Sequence, residues 1–140
     1  MIARALLLAL ACAASAGAEP ADTLAGRWTF ETSIATARNC IIAGEALLTP
    51  AATRGEYRVE MRAVETCATG HVWRSVQACT ATTRGRTINV DCTLVSAEPS
   101  NYAADDFVLE LRAPGLMEGS LVSTWDAPAR WRRDGADLIS

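Results

Sequence analysis

Cysteines at positions 40, 67, 79 and 92 constrain this chain more than any other feature, because each lies in a stretch of alternating apolar and polar residues next to a turn signal. In an antiparallel pair, the numbers of opposed residues sum to a constant set by the turn. Cys40 opposite Cys67 centres a hairpin between Thr53 and Arg54, inside the turn region 49–55 that holds Pro50 and Gly55. The same register opposes Leu48 to Val59, Ala46 to Met61 and Gly44 to Ala63, which are the apolar faces of the two segments read separately. Cys79 opposite Cys92 centres a second hairpin between Gly85 and Arg86, with Ala81 opposite Val90 and Thr83 opposite Ile88. A Cys67–Cys79 bond does not suit the turn at Gly70, which sets Cys79 opposite about Glu60. The expected bonds are therefore Cys40–Cys67 and Cys79–Cys92, each stabilising by about 3 kcal/mol through loop closure.

Period-two alternation also marks the remaining strands. The expected set is 26–33, 40–48, 56–67, 72–82, 87–96, 106–112, 116–125 and 129–133, with a longer loop at 97–105 and a short helical turn or loop at 34–38. No internal repeat or linker divides the chain. The expected fold class is all-β: about eight antiparallel strands joined by short hairpins, which favour an up-and-down barrel because closure removes exposed strand edges.

Residues 1–18 read as an export signal, with Arg4 at the start, an apolar run at 5–14, and small residues at Ala16-Gly17-Ala18. Cleavage there leaves a single domain, 19–140, that starts at Glu19 and keeps the four paired cysteines. A competing reading takes Ala9-Leu10-Ala11-Cys12 as a lipobox, in which Cys12 carries a lipid. The expected location is periplasmic or secreted, with a membrane attachment only if Cys12 is lipidated. An even cysteine count fits an oxidising compartment. No Cys-x-x-Cys is present, so neither a zinc knuckle nor a thioredoxin-like site is expected.

Several chemistries lack their residues. All 13 basic side chains are Arg, so no Lys exists for a phosphate loop, a Schiff base or a Ser-x-x-Lys pair. A net charge of −3 argues against a general electrostatic nucleic-acid binder. The single imidazole, His71, sits beside Gly70 and reads as an exposed turn residue. Asp105 and Asp106 are adjacent on a strand entry, so they point to opposite faces, and both read as water-exposed. No catalytic residue, metal set or cofactor is expected, and the chain does not read as an enzyme.

Leu24-Ala25-Gly26-Arg27-Trp28 resembles the Gly-x-Trp opening of the lipocalin and calycin barrels. That resemblance implies that Trp28 closes one barrel end and that an Arg of the last strand, Arg132 or Arg133, packs over its ring, a favourable cation–π arrangement. The chain departs from a full lipocalin in being short and lacking a helix after its last strand. The same opening also resembles small periplasmic inhibitors of secreted metalloproteases. This second resemblance implies a barrel whose N-terminal arm, here 19–23, enters a protease cleft.

The densest cationic and aromatic cluster is Trp125, Arg130, Trp131, Arg132 and Arg133, read as barrel closure plus a solvated strand face. The inward set should include Trp28, Phe30, Tyr57, Met61, Trp73, Phe107 and Leu121, with Ser75, Gln77 and Ser123 facing the same interior. Apolar walls with a few polar groups suit a small-ligand pocket, although the same side chains can simply fill eight strands. Trp73, Gln77, Tyr57, Tyr102 and Phe107 are the candidate ligand-binding residues, Tyr102 as a rim residue on the longest loop. The expected role is non-catalytic binding of a small apolar ligand in the barrel. A protein-binding module acting through the arm 19–23, such as a protease inhibitor, is the alternative.

Overall fold

The structure, a computed structural model, describes residues 24–33, 39–123 and 126–134. The expected export signal 1–18 with Cys12, the expected arm 19–23, the segment 34–38, Trp125 and the end of the tail lie outside the described residues. Eight strands close into one antiparallel barrel in chain order. They are β1 (Gly26–Thr32), β2 (Cys40–Pro50), β3 (Glu56–Cys67), β4 (Val72–Arg84), β5 (Thr87–Glu98), β6 (Phe107–Ala113), β7 (Leu116–Leu121) and β8 (Ala127–Arg133). The up-and-down expectation holds, and β3 has the bounds that its alternation predicts. β7 is shorter than expected, ending at Leu121.

Both disulfides form as the register arithmetic requires, with Cα atoms 3.9 Å apart for Cys40–Cys67 and 4.0 Å apart for Cys79–Cys92. The pairs Leu48–Val59, Ala46–Met61, Gly44–Ala63, Ala81–Val90 and Thr83–Ile88 are all present. Cys79 faces Val59 across β3 and β4, one residue from the expected Glu60. The amide of Cys67 donates to His71 O and that of Cys92 to Asp106 Oδ1, so both point away from their disulfide partner's strand. Each bridge therefore spans a non-hydrogen-bonded pair, where opposed side chains come closest.

Two features bend the wall. Gly44 on β2 and Gly119 on β7 lie where a Cβ would collide with the neighbouring strand, at Arg62 O and Val108 O respectively. Glycine at such points lets a barrel turn its corner. A bulge on β5, opposite Val76 and Gln77 of β4, leaves Val95 without an opposed residue, and Val95 is 64% exposed. The bulge also switches parity along β5. Ile88, Val90, Cys92 and Leu94 share the inward face before it, and Ala97 opposes the inward Ser75 after it.

The middle of the barrel is filled with rings. Phe30 stacks on Trp131 at 4.8 Å, and the Phe107 ring stands steeply to both, 5.5 Å from Phe30 and 5.2 Å from Trp131. Ile42, Met61, Leu109, Met117 and Leu121 complete this plug. Trp131, read from the sequence as part of a closure cluster, is a core residue with no exposed surface.

Candidate functional site

The connections differ in length between the two barrel ends. Turns 51–55, 85–86 and 114–115 lie at one end; turn 68–71 and segment 99–106 lie at the other, together with Ser33, Asn39, Val122, Ser123 and Asp126. At the short-turn end, Trp28 is fully buried, and its Nε1 donates to Leu24 O at 2.9 Å. Arg133 Nη1 donates to Ala25 O at 2.8 Å, and its guanidinium carbon lies 5.9 Å from the Trp28 ring centre. Arg133 shares the inward face of Ala129 and Trp131, whereas Arg132 is exposed on the outer face. Of the two candidate closure residues, Arg133 is therefore the one over the Trp28 ring, and this end is sealed.

The long-loop end holds the polar groups. Thr32, Glu65, Ser75, Gln77 and Asp105 are the buried polar and charged residues among those described, and all lie toward this end. Gln77 organises them. Its Nε2 donates to Ser75 Oγ and to Asp105 Oδ2, both at 2.8 Å, and its Oε1 accepts the Asp105 backbone N–H at 2.9 Å. The whole amide is thereby satisfied, as burial demands. Tyr102 reaches in from the β5–β6 loop, with its hydroxyl 2.8 Å from Asp105 Oδ2 and 3.1 Å from Oδ1.

Asp105 corrects the sequence reading. It is 2% exposed, not a solvated strand-entry residue, because the Gln77 amide captures both its carboxyl and its backbone N–H. Burial raises its pKa from the ordinary carboxyl range to about 6. The hydrogen bonds from Gln77 and Tyr102 oppose that rise, and the charges of Glu65 and Asp106 add to it. Burial, followed by the charge of Asp105, pushes the Tyr102 phenol well above its usual range, so it remains a protonated donor. Asp106, half-buried, points the other way, as adjacency predicts. Its Oδ1 accepts the Cys92 N–H at 2.8 Å, and its own N–H donates to Ser123 Oγ at 3.1 Å.

An aromatic rim stands above this floor. The Trp73 ring lies 5.3 Å from His71, nearly parallel to it, and 6.3 Å from Tyr102. Its Nε1 donates to Asn101 Oδ1 at 3.3 Å. His71 is exposed, as its turn position predicts, yet it covers one side of Trp73.

The five candidate ligand residues therefore divide. Trp73, Gln77 and Tyr102 meet at the long-loop end. Phe107 belongs to the ring plug, and Tyr57 is buried toward the sealed end, opposite Pro50 and Ala81. Glu65, not singled out from the sequence, is 3% exposed and acts electrostatically on both Tyr102 and Asp105. Its parity with Tyr57, Val59, Met61 and Ala63 was the available signal. Glu65 Oε2 lies 3.6 Å from Cys67 Sγ, but that sulfur is bridged to Cys40 and has no proton to donate. For the same reason the grouping of Cys40, Glu65 and Cys67 offers no thiolate to a metal.

A groove of about 580 Å³ also runs along the outer wall, past Arg62, Val64, Arg74, Val76 and Ser96. Glu45 and Glu98 flank its arginines, opposite Arg62 and Arg74 across the strand pairs, so it carries no net field of one sign.

No protein-family description matches the chain, and no curated protein matches it. Among solved structures, the barrel is similar to a de novo designed fluorescence-activating β-barrel, with a TM-score of 0.56 and 15% identity. The match covers 81% of this chain and 96% of the designed one. At that identity the likeness shows the fold alone. No helix among the described residues is long and apolar enough to cross a membrane. The two disulfides suit an oxidising, extracellular or periplasmic setting.

Proposed function

We propose that this chain is an exported, non-catalytic binding protein with a lipocalin-like barrel that receives a small ligand at its open end. The supporting observation is the asymmetry of buried polarity: Thr32, Glu65, Ser75, Gln77 and Asp105 gather toward one end, and the other is closed by Trp28 and Arg133. Binding sites pair apolar walls with a few convergent polar groups. The ring plug of Phe30, Phe107 and Trp131 occupies the middle, so the ligand lies above it rather than along the full barrel. Such a ligand sets an apolar body against Trp73 and Tyr102 and a polar group toward the buried polar floor that Gln77 holds in place. The designed barrel of similar fold is fluorescence-activating, which accords with small-molecule use of this architecture.

The test is native mass spectrometry of the full chain purified from its own host compartment. A small-molecule mass is expected on the wild type, retained when the arm 19–23 is deleted and lost in the Trp73→Ala/Gln77→Leu variant. An empty wild-type barrel, or a ligand that survives the double substitution, contradicts the proposal.

A further inference from the structure

The barrel wall has a seam where a loop takes the place of strand pairing. β5 pairs with β6 only from Thr87 to Val90, yet β5 continues to Glu98. Beyond Val90 the seam is covered by segment 99–106. That segment is tied to the wall by side chains: Asp106 to the Cys92 amide, Asn101 to Trp73, and Asp105 to Gln77. Tyr102 folds inward from it and joins the buried carboxyl of Asp105.

The central tie is electrically unusual. Asp105 receives only neutral donors, the Gln77 amide and the Tyr102 hydroxyl. The groups that face it among the described residues are Glu65 from β3, Tyr102 and Asp106 from the segment itself, and the neutral Ser75 and Gln77 from β4. The hydrogen bonds from Gln77 and Tyr102 favour the charged form, but burial of the carboxyl beside the carboxylates of Glu65 and Asp106 outweighs them, so Asp105 is held best when protonated and an ionised one gains by moving into water.

We propose that segment 99–106 is a proton-controlled flap over the β5–β6 seam, shut by Asp105 against Gln77, loosened when Asp105 ionises, and gating entry to the open-end site. The rise of the Asp105 pKa from 3.8 to about 6 agrees in sign. A group raised in this way contributes stability that is complete below its ordinary value and lost as pH climbs through the raised one. The flap is therefore closed in acid and loose at neutral pH and above. What it admits rests on the ligand reading above; the movement itself does not.

Hydrogen exchange of the full chain at pH 5 and pH 7.5, corrected for intrinsic rates, tests the flap without any ligand. Amides of 99–106 should lose protection by about tenfold or more at the higher pH, while those of β2 and β3 keep theirs. Asp105→Asn should hold the segment equally protected at both pH values. Equal wild-type protection at both, the same pH dependence in Asp105→Asn, or a loss spread over the whole barrel would overturn the proposal. If the variant does not fold, carbon-13 titration of wild-type Asp105 decides. A midpoint near 6 that coincides with a shift of the Trp73 indole signal supports the flap, and a midpoint near the ordinary value of about 4 refutes it. An empty barrel in the mass experiment would remove the cargo and leave these exchange results standing.

Discussion

The two barrel ends use different chemistry for the same task of excluding water. At the sealed end a tryptophan, an arginine and two backbone carbonyls meet, and each polar hydrogen named there has an acceptor already fixed by the chain. At the open end a carboxyl, an amide and a phenol form the closure, and its charge state depends on solution pH. The first closure is built from local backbone and the chain's last strand. The second depends on a loop residue docking to a strand 28 positions away. A permanent plug and an operable one are thus distinguishable by the titratability of what holds them.

The largest expected contrast comes from the two tryptophans nearest the ends. Trp28→Ala should destabilise by about 3–5 kcal/mol, because it empties a fully buried site. Trp73→Ala, at a half-buried rim, should cost about 1 kcal/mol in chemical denaturation. Similar losses at both positions would erase the distinction between plug and rim.

Next come the disulfides. Replacing either cysteine pair by alanines should lower stability by about 3 kcal/mol, slightly more for Cys40–Cys67, which closes 27 residues against 13. The Cys40–Cys67 pair lies at the open rim, so its removal should also speed exchange there before it affects the sealed end.

A smaller effect carries the sign of the open-end chemistry. Asp105→Asn should stabilise the barrel by about 2 kcal/mol at pH 8, where the wild type buries an ionised carboxyl, and should make little difference at pH 3. Thermal or denaturant unfolding at the two pH values measures it. Destabilisation by Asp105→Asn at pH 8 would reverse the assignment.

The finest contrast concerns indole hydrogens. Trp28 Nε1 donates to Leu24 O, whereas Trp131 Nε1 is buried with no hydrogen-bond partner among the described residues. Trp28→Phe should therefore cost about 1 kcal/mol more than Trp131→Phe in denaturant unfolding.

Much of the fold was legible because its information is local. Alternation marks the strands, and opposed cysteines fix two hairpin registers that the apolar faces of the same strands repeat. Arg133 was tied with Arg132 only until Ala129 and Trp131 set the inward parity of β8. The bulge at Val95 was not legible, since a parity switch inside a strand leaves no turn residue to announce it. Asp105 was misread for a different reason. A carboxylate beside another carboxylate at a strand entry looks solvated, and only the closure of the barrel brings Gln77 against it. Glu65 had the parity of an inward residue, but acidic side chains rarely occupy such positions unless a site compensates them.

The central claim is that one end of the barrel receives and the other does not. Indole N–H resonances report on it directly, because Trp28, Trp131 and Trp73 mark the sealed end, the ring plug and the rim. Titrating the full chain with the neutral apolar probe N-phenyl-1-naphthylamine should shift the Trp73 signal and leave those of Trp28 and Trp131 in place. A shift at Trp28 with Trp73 unmoved, or no shift at any of the three, would contradict the account.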